Sequence, residues 1–175
     1  LLAHFGVPLA GGTLVSVNTR LSADEIGYII GQSGSTKVFY SPELRDQIPA
    51  GLSGVELLNT QEELEALLAQ GTEDEVSTEG FHEDDTLSIN YTSGTTGRPK
   101  GVMYHHRGAY LNALAMVLDQ RLTADSVYLW TLPMFHCNGW TFAWGVAAVG
   151  ATSVCIPRID PADVWRRFDE GVTHF

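Results

Sequence analysis

The run Tyr91-Thr92-Ser93-Gly94-Thr95-Thr96-Gly97-Arg98-Pro99-Lys100-Gly101 gathers three threonine hydroxyls, one serine hydroxyl and one lysine ammonium into a short loop. Glycines let backbone N–H groups approach an anion, hydroxyls donate to its oxygens, and lysine balances its charge. That chemistry suits a polyphosphate. A plain surface turn can have the same composition, but the surrounding sequence favours the anion. From Thr86 to Leu118 there is no Asp or Glu, whereas Arg98, Lys100 and Arg107 all fall there.

The spacing excludes the commonest phosphate grip. A Walker loop separates its glycines by four residues, continues with Lys and Ser or Thr, and opens a helix. Here two residues separate Gly94 from Gly97, Gly101 follows Lys100, and the strand-like Val102-Met103-Tyr104 comes next. The loop reads as a hairpin-like turn between two strands, which argues against a P-loop NTPase.

A second constellation is Met134-Phe135-His136-Cys137-Asn138-Gly139-Trp140. Adjacent His136 and Cys137 lack zinc-ligand spacing, and no second ligand pair follows. One neighbouring histidine is thin support for a thiolate nucleophile. Core packing is therefore the reading preferred over metal or thiol catalysis. His105 and His106 stand where a helix opens, and helix starts collect polar residues for capping alone.

These segments need a scaffold, and the periodicity supplies one. Thr13–Val17, Lys37–Tyr40, Val55–Leu58, Leu87–Tyr91, Val102–Tyr104, Ser126–Thr131 and Thr152–Ile156 read as strands. Ser22 with Glu25 forms a capping box for a helix with buried face Ile26, Ile29 and Ile30, stopped by Gly34. Thr60 with Glu63 gives a second box, ahead of a face made by Leu64, Leu67 and Leu68. His106 to Arg121 reads as a helix with buried stripe Tyr110, Leu114, Val117 and Leu118. Phe142–Val149 reads as a helix weakened by Gly145, and Asp160 caps a last helix with Pro161 at its first position. Strands alternating with helices predict an α/β fold with a largely parallel sheet.

The bulk numbers bound the function. A chain of 175 residues with 44% hydrophobic and 18% charged content is globular and long enough for a core. A net charge of −11 makes it a poor binder of nucleic acid or anionic membrane. Seven of the acids lie from Glu73 to Asp85, so residues of about 71–85 read as a solvated acidic linker between two α/β segments. The two cysteines, Cys137 and Cys155, make no disulfide framework, which predicts a reduced, cytoplasmic setting. No apolar run is long enough to span a bilayer.

YTSGTTGRPKGV resembles the signature of the adenylate-forming superfamily, in its acyl-CoA synthetase or fatty-acid–CoA ligase branch. The flanks GVPLAGGTLVSVNTRLSADEIGYII, LPMFHCNGW and GATSVCIPRIDPADVW are similar to other segments of that family, so the resemblance covers essentially the whole chain. It implies part of the family's large N-terminal domain. It also implies that Thr92, Ser93, Gly94, Thr95, Thr96, Gly97 and Lys100 hold the ATP phosphates and that Thr92 is associated with Mg²⁺. His136, Cys137 and Trp140 are implied to line the acyl and nucleotide pockets, with His136 beside the reacting carboxylate. The implied reaction joins a carboxylic acid, short- to medium-chain or aryl-like, to coenzyme A through an acyl-adenylate. An adenylation domain serving an amino or aryl acid and a carrier-protein thiol stays open, as does a non-catalytic nucleotide-binding module.

Both ends, Leu1-Leu2-Ala3-His4-Phe5 and Val172-Thr173-His174-Phe175, read as cut within elements. The expectation is an internal fragment, 1–175, lacking the domain's N-terminal start, its downstream half and the C-terminal domain. Such a fragment is expected to be inactive alone and to self-associate through uncovered apolar faces, as a homodimer or larger species.

Overall fold

The computed structural model describes residues 1–72, 74–92 and 97–175. The chain divides into two compact units. One comprises Leu1–Ser16, Phe81–Asn90 and Met103–Phe175; the other comprises Val17–Gly80 and Tyr91–Val102.

In the second unit, α2 (Ala23–Ser33) starts as its sequence dictates. Ser22 Oγ accepts from Glu25 N–H, and Glu25 Oε2 accepts from Ser22 N–H at 2.9 Å. The Ser22 donors hold the Glu25 carboxyl below its usual range. Gly34, at φ 68°, closes the helix. Ile26, Ile29 and Ile30 are buried, each contributing about 1.5–3 kcal/mol of transfer free energy. A 3₁₀ turn (Pro42–Gln47) joins β2 (Lys37–Tyr40) toward β3 (Glu56–Asn59), and the two strands pair in parallel from Lys37↔Glu56 to Tyr40↔Asn59.

The next helix departs from its sequence reading. α3 (Leu64–Leu68) has no side-chain cap, buries no residue, and leaves Leu67 and Leu68 39% and 64% exposed. Thr60 is not its cap because its hydroxyl is used elsewhere, donating to the Tyr40 carbonyl at the end of β2. Glu63 Oε2 instead accepts from the Asn59 N–H.

The first unit opens with α1 (Ala3–Leu9) and β1 (Leu14–Ser16), and β1 pairs in parallel with the part of β4 (Thr86–Thr92) in that unit, from Leu14↔Ser88 to Ser16↔Asn90. The strand order is β1-β4-β5, with β5 spanning Lys100–His105. After β5 comes α4 (His106–Gln120). His105 is its N-cap, with Nδ1 accepting from Gly108 N–H at 2.9 Å, which is the capping role its position suggested. The acids of the preceding segment fold onto this helix start. Arg107 pairs with Glu83 at 3.4 Å and Asp84 at 3.1 Å, while the N–H groups of Arg107 and His106 donate to the Glu83 and Asp85 carbonyls.

Of the stripe expected for α4, Val117 packs on the core and the other three residues do not. Ala109 and Ala113 are buried, and Met116 and Val117 pack on the core, whereas Tyr110, Leu114 and Leu118 are 64%, 38% and 78% exposed. The reason is close packing against α6 (Phe142–Ala148). A Cβ on Gly145 would sit 3.3 Å from both the Ala113 carbonyl oxygen and Val117 Cγ2, so small residues, not leucines, face that contact. Gly145 serves this approach instead of merely weakening its helix.

β6 (Val127–Trp130) pairs in parallel with β7 (Thr152–Cys155), and His174 adds a parallel bridge to Tyr128. Leu122, Tyr128, Trp130, Phe142, Ala143 and Val146 form the core. The Tyr128 ring lies 5.0 Å from the rings of both Trp130 and Phe142, and burial pushes its hydroxyl pKa up to about 12. Asp160 caps α7 (Pro161–Asp169) by accepting from Ala162 N–H.

Candidate functional site

Two of the pairings that lead toward the candidate residues are parallel; β4 ends at Thr92, and β6 ends at Trp130, six residues before His136. In β4, Leu87, Ser88 and Asn90 are buried, whereas Thr92 at the strand's end is exposed. The Thr92 hydroxyl lies 3.5 Å from the Lys100 carbonyl oxygen, which brings the two ends of the loop together. Gly97 takes φ 128°, a conformation reserved for glycine. Lys100 is exposed and has no ion-pair partner among the described residues. Ser93, Gly94, Thr95 and Thr96 lie outside the described residues. Arg98, to which the sequence assigned no role, places its guanidinium 5.1 Å from the centre of the Tyr28 ring. That is a cation–π contact, worth about 0.5–1 kcal/mol where exposed. The Tyr91 hydroxyl donates to Gln32 Oε1.

His136, Cys137 and Trp140 come together in one turn, α5 (Cys137–Trp140), which winds left-handed. Cys137, Asn138, Gly139, Trp140 and Thr141 have φ of 50°, 53°, 57°, 57° and 64°. His136 is exposed, Cys137 half-buried and Trp140 53% exposed. His136 Nε2 stands 3.9 Å from Cys137 Sγ. Burial, with Cys137 as hydrogen-bonding neighbour, pushes the Tyr104 hydroxyl pKa up to about 12. Trp140 lines a cavity of about 510 Å³ with Met116, Tyr128, Leu132, Phe142 and His174. A cavity of about 360 Å³ in the other unit, among Ile30, Gly34, Leu52 and Val55, contains no candidate residue.

The sequence reading missed a buried polar cluster beneath this turn. Asn138, wholly buried, donates through Nδ2 to Ser88 Oγ at 2.9 Å and Asn90 Oδ1 at 2.8 Å. Asn90 in turn donates to the Phe135 carbonyl at 2.9 Å. The available signal was the alternation of Ser88 and Asn90 with apolar residues in a strand sandwiched on both faces, since buried polar groups require partners. His4, 4% exposed, stacks edge-on to Trp144 nearby, and its carbonyl accepts from Trp144 Nε1. Neither His4 ring nitrogen nor Asn138 Oδ1 meets hydrogen-bonding geometry. Burial above all lowers the His4 pKa to about 4; the Leu1 carbonyl and Asn138 stand close enough to offset part of that.

A metal centre has few protein donors here. Among the described residues no group of three or more His, Cys, Asp or Glu is placed to hold a metal ion. The Thr92 hydroxyl could supply one oxygen to a Mg²⁺ held mainly by phosphate oxygens, the usual habit of that ion.

The family model described as AMP-binding enzyme matches residues 1–175. The 4-hydroxybutyrate–CoA ligase 2 of Metallosphaera sedula is 42% identical over 99% of this chain and 35% of its own length. The peroxisomal benzoate–CoA ligase of Arabidopsis thaliana is 38% identical over 98% of this chain and 34% of its own. The chain thus spans about a third of the length of these curated relatives. Among solved structures, the inhibitor-bound N-terminal domain of FACL13 from Mycobacterium tuberculosis superposes with a TM-score of 0.85 at 32% identity, covering 97% of this chain and 44% of that one. ATP-bound MatB from Rhodopseudomonas palustris gives 0.82 at 28% identity, covering 95% and 34%. A family match along the whole sequence, together with an α/β framework shared with the N-terminal domain of FACL13, establishes that this chain belongs to the AMP-binding enzyme family.

Proposed function

We propose that this chain is a section of an acid–CoA ligase that activates a carboxylic acid with MgATP. The carboxylate oxygen attacks the α-phosphorus, the bond to pyrophosphate breaks, and an acyl-adenylate forms. The thiol of coenzyme A then attacks the acyl carbon and releases AMP. The observation that carries this reading is the loop between β4 and β5, with Thr92 and Lys100 exposed at its ends, in a chain 42% identical to a CoA ligase.

In this reading Thr92, Ser93, Gly94, Thr95, Thr96, Gly97 and Lys100 hold the phosphates and stabilise charge on the departing pyrophosphate. Thr92 also contributes to Mg²⁺. His136 stands beside the reacting carboxylate, and Cys137 and Trp140 border the acid. The names of the relatives, which include 4-hydroxybutyrate, butyrate and benzoate CoA ligases, support a short aliphatic or aryl acid and coenzyme A over a carrier-protein thiol. The proposed setting is the cytoplasm; among the described residues no helix is long and apolar enough to cross a membrane.

The test is a panel of carboxylic acids presented to the ligase carrying this sequence, reading AMP and pyrophosphate with and without coenzyme A. Pyrophosphate release that depends on a short or aryl acid, with thioester formed only when coenzyme A is present, is expected. Release of phosphate without AMP or pyrophosphate would overturn the reading.

A further inference from the structure

The turn after His136 has a conformation that L-residues resist. Five consecutive residues, Cys137 to Thr141, sit at positive φ, and only Gly139 among them lacks a Cβ. A left-handed backbone brings each Cβ against the following carbonyl oxygen, so such a run persists only where its surroundings hold it. Here three elements do so. Asn138 reaches down to Ser88 and Asn90 of β4. Thr141, 1% exposed, accepts through Oγ1 from Asn112 of α4 at 2.9 Å and donates to the Trp140 carbonyl. Gly139 lies against the Trp130 ring of β6.

The division of side chains is what gives the turn a consequence. Asn138 and Thr141 point inward and are consumed in hydrogen bonds, while His136 and Trp140 are left exposed on the same turn. Asparagine is also among the few L-residues that tolerate φ near 53°. It therefore serves the backbone and the anchor at once. We propose that Asn138 is a positioning residue for acyl activation: its buried amide clamps the left-handed turn onto β4 and so fixes the directions in which His136 and Trp140 are presented to the acid. This rests on the ligase reading above. Asn138 touches no reacting atom; it acts through its neighbours.

The experiment uses the ligase carrying this sequence with Asn138→Gly, Asn138→Asp, Ser88→Ala and the pair Asn138→Gly/Ser88→Ala. Glycine keeps the left-handed backbone accessible and removes the anchor, leaving the Ser88 and Asn90 acceptors without their donor; aspartate keeps the shape but loses the two donors. Acid-dependent pyrophosphate release is followed with each substrate varied, beside thermal melting. A loose turn should cost roughly 10- to 100-fold in kcat/KM for the acid. The KM for ATP should stay close to the unsubstituted value, and the melting temperature of Asn138→Gly, lowered by the lost hydrogen bonds, should stay well above the assay temperature. The double variant should be no worse than Asn138→Gly alone, because Ser88 acts through the amide already removed.

Unchanged acid kinetics in Asn138→Gly would overturn the proposal. So would a loss that tracks a fallen melting temperature with both KM values unchanged, because that marks a merely structural residue. If the unsubstituted enzyme releases no pyrophosphate with any acid, the ligase reading fails instead. The clamp is then read in the same full-length protein by the alkylation rate of Cys137, followed by mass mapping to separate it from Cys155. Faster alkylation in Asn138→Gly supports the clamp, and an unchanged rate overturns it.

Discussion

Gly139 lies so close to Trp130 that a Cβ built on it would fall 2.5 Å from Trp130 Cζ3, well inside van der Waals contact. Trp130 is 5% exposed and part of the core, so it has little room to retreat. Gly139→Ala meets this clash and a left-handed φ of 57° together. Overpacking costs about 1–3 kcal/mol and the left-handed residue about 1–2 more. Urea unfolding should show a loss of about 3 kcal/mol; a variant as stable as the parent would mean that the turn does not press on Trp130.

His4 makes stability depend on pH in a definite direction. Its folded pKa, about 4, lies below the ordinary value of 6.5. Between these values the unfolded chain binds a proton that the folded chain does not. The stability held by neutral His4 is therefore complete above pH 6.5 and is lost as pH falls toward 4. Its full size is about 3 kcal/mol, from 1.36 kcal/mol per pKa unit. Unfolding curves from pH 7 to 4 should be flatter for His4→Leu than for the parent; parallel curves would refute the assignment.

Lys100 tests the loop. A hydrogen bond to a charged group contributes about 1.5–3 kcal/mol, so Lys100→Ala should weaken ATP binding by calorimetry about 10- to 100-fold. Binding that Lys100→Ala leaves intact would remove the loop from the nucleotide site.

Ser22 is expected to matter through its helix alone. Ser22→Ala removes the acceptor for Glu25 N–H and should cost about 1 kcal/mol, with no change in nucleotide binding. The measurement is denaturant unfolding beside ATP titration.

The outer face of α4 should make the chain associate with itself. Tyr110, Leu111 and Leu118 are 64%, 58% and 78% exposed on one helix, and contiguous exposed apolar surface of that kind drives association. Light scattering should show mass rising with concentration, and Leu111→Lys/Leu118→Lys should suppress the rise. A chain that is strictly monomeric at all concentrations would contradict this.

Local signals carried far where the chemistry was local. The α2 capping box, the Gly34 stop, the Asp160 cap and the strand-like character of the segments around the loop depend on neighbours a few residues apart, and the structure bears them out. The loop's spacing also sufficed to tell it from a Walker loop, and the string YTSGTTGRPKGV with its flanks carried the resemblance to the family, because these residues are contiguous. Parallel pairing followed from the alternation of strands and helices.

What tertiary structure decided depends on partners distant in the chain. Thr60 failed as a cap because Tyr40, twenty residues away, takes its hydroxyl. The α4 stripe moved from leucines to alanines because Gly145 lets another helix come close, and a 3.6-residue period cannot report what a face meets. Asn138 looked like one polar residue in a mixed segment. Only the fold brings it to Ser88 and Asn90, fifty and forty-eight residues earlier, and there a buried amide with two acceptors holds a left-handed turn that no local preference would form.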